Sequence, residues 1–345
     1  MSQITDLEEL VATLPHDARA LFDRFYRLEL ATGTLKIPAE MVPWVNARFG
    51  AIERVEAQRI VSIKNRFTGE HSLFNQLRTE RPIEARSPVH LTELDEKEHC
   101  LFCRPETSTP TDAFGRITGN YCVTAGNIAK YDALHSLVIF KEHNPLIIQK
   151  EWLADYLSTA ERWFEAVVRY HSGPALHKFF LWNCLWRGGA SIIHGHMQLM
   201  AASERYGRLA ALEAAIGTYD RSFNGDYLAD LIAVHEHVGL ARQEGRETIL
   251  CYLTPVKEKE LVIVSSAARS EEMAETLYAV LQRYLKLGVQ SFNLAIFQLD
   301  GRHIVRLVDR GSLADRNSDI GAMELYAATV IASDPFKLAD AIMQY

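Results

Sequence analysis

From residue 118 onward the spacing of apolar residues changes period in the same order twice, and this internal repeat constrains the fold more than any other feature. The first pass predicts strands near 119–124 and 134–140, a helix over about 150–170, and strands near 178–184 and 194–200. The second predicts strands near 247–253 and 260–265, a helix over about 270–287, and strands near 291–298 and 302–308. Short apolar-rich runs mark the strands and longer segments mark the helices. The connection 204–245 reads as helical. The economical interpretation is a duplicated α+β fold, two β-β-α-β-β units on an antiparallel sheet.

Ahead of the repeat, residues 5–30 carry helical spacing (Leu7, Leu10, Val11, Leu14, Leu21, Phe22, Phe25), and Pro38 can open a second short helix. This stretch reads as an N-terminal helical appendage. A β-rich run at 59–63, a turn at Thr68-Gly69-Glu70 and a second run at 72–74 follow. Residues 83–97 and 104–116 read as loops. The expected organisation is an appendage over 1–57, a first half over 58–203 and a second half over 204–345.

Composition narrows the function classes. The chain has 345 residues, enough for roughly two domains of ordinary size. A net charge of −7 argues against a broad nucleic-acid surface, so any phosphate would be met by a few placed Arg and Lys. No apolar run approaches the roughly 18 residues of a membrane span, and the first residues lack the pattern of a signal peptide. No nucleic-acid or membrane partner is expected. Five Cys do not suit a disulfide framework and do suit a reducing cytoplasm, the expected location.

The strongest chemical feature is the run Gly188-Gly189-Ala190-Ser191-Ile192-Ile193-His194-Gly195-His196-Met197-Gln198. On a strand, His194, His196 and Gln198 share one face, and Gly195 leaves room for close backbone approach. Such a row is either a solvated face or a site, since burying it unpartnered is costly. At the matching place in the second repeat stands His303-Ile304-Val305-Arg306-Leu307, with Val305 and Leu307 at the second His and Gln positions. The polar row of the first repeat therefore needs its own cause. A neutral imidazole can attack phosphorus and pass the group on. Gln198 and Ser191 can donate to phosphoryl oxygens, and Arg187 can neutralise developing charge.

The second feature is Cys100-Leu101-Phe102-Cys103. Tetrahedral zinc needs two further ligands, for which His143 and His194 are the candidates, with His99 competing for the third place. The bland alternative is two free thiols and a surface His.

These segments resemble the galactose-1-phosphate uridylyltransferases of the histidine-triad superfamily. The resemblance rests on His194-x-His196-x-Gln198 after Asn183 and Gly189-Ala190-Ser191, and on Thr68-Gly69-Glu70 followed by Arg78-Thr79-Glu80-Arg81-Pro82. The order Cys100, Cys103, His143, His194 is that of the family's zinc ligands. The resemblance spans roughly residues 60–345 and implies histidine-triad-like halves, the second degenerate. It implies ping-pong nucleotidyl transfer through His196, from a nucleoside diphosphate sugar to a phosphate or sugar-phosphate acceptor. Gln198 and Ser191 would hold phosphoryl oxygens; Asn183, Arg78, Arg81 and Asn127 would meet the nucleotide. Structural Zn2+ and a homodimer are implied as well. The stretch 317–326 lacks the family's hexose-contacting Lys, although Glu324 matches an acidic contact. It is as similar to the phosphorylase branch, which uses inorganic phosphate as acceptor.

Two other classes stay open. A triad hydrolase would carry a third His where Gln198 stands, and a non-catalytic nucleotide-binding zinc protein would form no covalent adduct. The remaining features read as bland. Leu277, Val280, Leu281, Tyr284 and Leu285 form a core stripe. His235 and His237 read as solvated, and Cys122, Cys184 and Cys251 as buried thiols.

Overall fold

The computed structural model describes residues 2–80, 94, 97–174 and 176–343. In chain order, helices α1 (Leu7–Thr13) and α2 (His16–Phe25) lead into strand β1 (Tyr26–Thr34). Helices α3 (Val42–Phe49) and α4 (Ile52–Glu56) precede β2 (Ala57–Asn65) and β3 (His71–Phe74). After α5 (Pro105–Ser108) come β4 (Cys122–Gly126), β5 (Leu134–Phe140), α6 (Lys150–Tyr170), β6 (His177–Cys184) and β7 (His196–Ala202). Helices α7 (Gly207–Phe223) and α8 (Tyr227–His237) with β8 (Ala241–Glu244) connect to β9 (Glu247–Cys251), β10 (Leu261–Ser265), α9 (Ala274–Lys286), β11 (Phe292–Leu299) and β12 (Arg302–Asp309). The chain closes with α10 (Ala322–Tyr326), β13 (Thr329–Ile331) and α11 (Pro335–Met343).

Both predicted units are present, and they share one sheet. Its nine strands run β4-β5-β7-β6-β11-β12-β10-β9-β8. The order β4-β5-β7-β6 is mirrored by β11-β12-β10-β9, so the two units meet back to back where β6 pairs antiparallel with β11. Helices α6 and α9 cover one face. Leu153, Leu157, Ala160 and Phe164 of α6 and Leu277, Val280 and Leu281 of α9 are buried there, at the three- and four-residue steps of a core-facing stripe. Glu161 of α6 joins the halves: it accepts from Lys178 Nζ and from Ser270 Oγ, both at 2.8 Å. Burial alone would raise its carboxyl, but Lys178 and Ser270 outweigh that and hold it below the usual carboxylate range.

The register corrects the predicted alignment of the repeats. Directly opposed residues of neighbouring strands face the same side of a sheet. Leu137 opposes Gln198, Gln198 opposes Leu181, Leu181 opposes Ala295, and Ala295 opposes Arg306. Arg306, and with it Ile304 and Val308, thus shares a face with Gln198 and His196. Val305 and Leu307 face the helices and are buried in the main core. The counterparts of His196 and Gln198 are Ile304 and Arg306, a one-residue slip that sequence alignment alone does not see.

The N-terminal stretch is helical only to Phe25. Tyr26–Thr34 pairs with β2 over nine residues, in a second sheet of order β1-β2-β3-β13. The loop 104–116 contains the short helix α5, and the connection 204–245 ends in the short strand β8. His235 is buried, not solvated: Nδ1 donates to the Leu231 carbonyl at 2.8 Å, Nε2 accepts from the Leu253 amide at 3.3 Å, and the ring stacks on Tyr252. Burial pushes it down to about 4. His237 is exposed, and Cys122, Cys184 and Cys251 are buried free thiols. No described helix is long and apolar enough to cross a membrane.

Candidate active site and metal centre

The strand β7 begins at His196, so His194 lies just before it rather than on it. Gly195 between them is fixed by its own backbone: its amide donates to the His143 carbonyl and its carbonyl accepts from the Phe140 amide, both at 3.0 Å. The space that a side chain at Gly195 would need is filled by another side chain, not by backbone. A Cβ there would stand 2.4 Å from Phe140 Cδ2, and the Phe140 ring is itself stacked on Tyr156 at 3.9 Å.

His196 is buried, and its Nδ1 donates to the His194 carbonyl at 2.8 Å. A neutral ring carries one N–H, so Nε2 keeps its lone pair. Burial lowers the His196 pKa and so favours this neutral form. Phe102, between the two cysteines, is buried with its ring set edge-on to His194 and His196.

His194 is fixed in the complementary tautomer. Its Nε2 donates to the Phe140 carbonyl at 2.7 Å, which leaves the Nδ1 lone pair facing Cys100 Sγ at 3.4 Å, Cys103 Sγ at 3.5 Å and His143 Nδ1 at 3.2 Å. The four ligand atoms of Cys100, Cys103, His143 and His194 lie within 4.8 Å of one another. Tetrahedral bonds of about 2.0–2.3 Å put ligand atoms roughly 3.3–3.8 Å apart, so the set is spaced to hold a metal ion. The orienting carbonyl behind His194 is the kind of outer partner a metal-bound imidazole uses. Burial, and then the neighbouring Cys100, push the Cys103 thiol up to about 11; a bound cation would reverse that. His99 is exposed and outside the cluster.

The loop from β6 to β7 carries the predicted phosphate contacts. It opens at Leu185, buried with φ 61° and ψ 176°, a conformation costly for any residue but Gly. The second half holds it in place. The Gly188 amide donates to Ser291 Oγ at 2.8 Å, and Ser291 Oγ donates to the Cys184 carbonyl at 2.6 Å. A Cβ at Gly188 would meet the Phe292 carbonyl oxygen at 2.7 Å. Asn293 Nδ2 donates to Asn183 Oδ1 at 2.7 Å and to the Gly188 carbonyl at 2.6 Å. That leaves Asn183 its amide hydrogens. Arg310, bidentate to Asp319, donates in turn to Asn293 Oδ1.

The other predicted residues fall in different places. Ser191 is exposed within the same loop. Arg187 is turned away from a phosphate role: it donates to the carbonyls of Arg310, Asp315 and Asn317 and so ties the C-terminal segment down. Glu324 caps α10, accepting from the Gly321 amide at 2.8 Å. Arg78 is exposed on the short 3-10 helix Gln76–Glu80, and Arg81 lies outside the described residues. Asn127, after β4, places Nδ2 3.1 Å from His135 Nε2. A groove of about 900 Å³ runs over β6, β11 and β12, lined among others by Asn183, Gly188, Asn293, Arg310, Arg306 and Glu70.

Two functional neighbours were missed in the sequence. His135, on β5 two residues before Leu137, reaches Gln198, and Asn293 reaches Asn183. Each is seen only when strands are set side by side, because its partner is 63 or 110 residues away.

No family model and no curated protein matches this sequence. Solved structures do match in fold. An ADP-glucose phosphorylase from Arabidopsis thaliana, with bound ADP-glucose, superposes with a TM-score of 0.64 at 16% identity, over 82% of this chain and 98% of the other. A galactose-1-phosphate-uridylyltransferase-like protein from the same plant gives 0.60 at 16% identity, over 82% and 98%. A uridylyltransferase gives 0.55 at 15%, over 82% and 97%. The chain has the α+β fold that these uridylyltransferases and ADP-glucose phosphorylase share.

Proposed function

We propose that this protein is a nucleotidyltransferase that carries a nucleotidyl group on His196. The reading rests on one observation above the rest: the His194 carbonyl accepts a hydrogen bond from His196 Nδ1–H and leaves Nε2 as a free base, on the same sheet face as Gln198. The donor is a nucleoside diphosphate sugar, as in hexose-1-phosphate uridylyltransferases. Nε2 attacks the α-phosphorus, the P–N bond forms, and the electron pair of the breaking P–O bond leaves with the sugar 1-phosphate. The Nδ1–H···O=C bond stays in place and disperses the positive charge gained by the ring. A phosphate oxygen of the acceptor then attacks the same phosphorus, and the P–N pair returns to Nε2. Gln198, the Asn183 amide and Ser191 would hold phosphoryl oxygens. The groove beside Asn183 has room for the remainder of the donor. Zinc, the ion best suited to a Cys2His2 set, would be held by Cys100, Cys103, His143 and His194. With a metal bound there, Cys100, Cys103, His143 and His194 would hold in place the segment whose carbonyl sets the His196 tautomer. A homodimer belongs to the same reading.

A second reading keeps the covalent histidine and makes inorganic phosphate the acceptor. It is favoured by the segment 317–326, which has no Lys and whose Glu324 is spent on a helix cap. The test is intact-protein mass spectrometry after mixing with UDP-glucose, ADP-glucose, a GDP-sugar or a diadenosine polyphosphate, without acceptor. A nucleotidyl adduct on His196 supports the covalent mechanism; its discharge by a hexose 1-phosphate supports the uridylyltransferase reading, and its discharge by inorganic phosphate alone supports the phosphorylase one. No adduct from any donor overturns the covalent mechanism.

A further inference from the structure

We propose that His135 is a positioning residue that fixes which way the Gln198 amide points; the proposal rests on the nucleotidyl-transfer reading above. His135 is fully buried on β5, facing the same side as Leu137 and Ile139. Its Nδ1 lies 2.8 Å from the backbone nitrogen of Tyr131. A backbone N–H can only donate, so Nδ1 must accept. The one hydrogen of the neutral ring is then on Nε2. Two groups stand within reach of Nε2: Gln198 Oε1 at 3.0 Å and Asn127 Nδ2 at 3.1 Å. Asn127 Oδ1 is taken by the Ala129 amide at 3.0 Å, so what Asn127 presents to Nε2 is its NH2 group, which cannot accept the His135 N–H. Gln198 Oε1 is therefore the acceptor available to the His135 N–H.

A glutamine amide is otherwise ambiguous, since its two ends differ little in size and can exchange by rotation. Committing Oε1 to His135 forces the NH2 end away from β5 and makes it the group Gln198 offers. Phosphoryl oxygens need donors; a reversed amide would present its oxygen and repel them. The charged ring is excluded by the same contact, because an Nδ1–H would face the Tyr131 N–H. Tyr131 also stacks on the ring at 4.6 Å, fixing its plane. Burial lowers the His135 pKa, which agrees with a ring held neutral.

The test is single-turnover formation of the His196 adduct, followed by quenched-flow mass spectrometry, using the donor that labels the wild-type protein. His135→Phe is expected to slow it by about 10- to 100-fold, with little change in the donor concentration for half-saturation. His135→Gln, which keeps an N–H near the Nε2 position, is expected to recover most of the rate. In a Gln198→Ala background, His135→Phe is expected to add nothing further, a non-additivity that a merely structural role would not give. His135→Phe labelling as fast as wild type, or slowing Gln198→Ala as much as it slows the wild type, overturns the assignment. If His135→Phe fails to fold, the Gln variant decides alone: a rate as low as that of Gln198→Ala overturns the assignment. A wild-type protein that takes no label from any donor overturns the nucleotidyl-transfer reading, and this inference with it.

Discussion

Gln198 and Arg306 occupy equivalent places in the nine-stranded sheet, one strand out on either side of the Leu181–Ala295 pair. In one half that place carries an amide beside the candidate nucleophile. In the other it carries a guanidinium bound to Glu260 at 2.5 Å and to Glu70 at 2.7 Å, packed over Tyr252. Glu70 belongs to the turn between β2 and β3, so the second half uses its equivalent position to dock the smaller sheet. A duplicated fold has kept a polar group on both strands and turned one of them into a joint.

Arg306→Met leaves the fully buried Glu260 carboxylate unpaired. It is expected to destabilise the fold by about 2–4 kcal/mol, since removing one partner of a buried pair strands the other. Urea denaturation measures it, and the double variant with Glu260→Gln should recover part of the loss. A change under about 1 kcal/mol would show that the pair is not the joint.

Purified protein is expected to hold one zinc ion per chain by elemental analysis. Cys103→Ala should abolish retention, lower the thermal midpoint and slow His196 labelling, because His194 would lose an anchor. Metal-free protein that labels at the wild-type rate would disconnect the cluster from the active histidine.

Gly195→Ala puts a methyl carbon 2.4 Å from the Phe140 ring. Overpacking of this kind costs about 1–3 kcal/mol, and the strain falls on the peptide linking His194 to His196. Labelling should drop at least tenfold, and Phe140→Leu in the same chain should restore part of it. Wild-type labelling by Gly195→Ala alone would mean that the ring yields freely.

Glu161→Gln is expected to cost about 1–3 kcal/mol at pH 7, since it removes the charge from the bonds to Lys178 and Ser270. The folded carboxyl titrates below its ordinary value of 4.5, so its contribution is fully present above that pH and is lost as pH falls through the folded value. The stability gap between variant and wild type should therefore narrow as pH falls below 4.5 in denaturant melts. A gap that stays constant with pH would show that the charge contributes nothing.

The sequence by itself determined the order and kind of the elements in the two repeated units. Strands β4 to β7 and β9 to β12 and helices α6 and α9 fall close to where the apolar pattern predicts them, because the strands are short apolar runs buried in the sheet and each helix buries one apolar stripe. Strand β1 was hidden because Leu28 follows Phe25 at the three-residue helical step and masks the alternation of Tyr26, Leu28 and Leu30, and its pairing with β2 makes residues 26–34 extended. The Cys and His of the metal cluster were legible as types and spacings, and so was the His196–Gln198 pair. The tertiary structure alone decided what depends on lateral register. It places Ile304 and Arg306, not Val305 and Leu307, in the second site. It buries His235, turns Arg187 and Glu324 to structural bonds, and brings His135 to Gln198. The physical reason is that a strand's own sequence fixes which residues alternate, while hydrogen bonds to its neighbour decide which face they alternate onto.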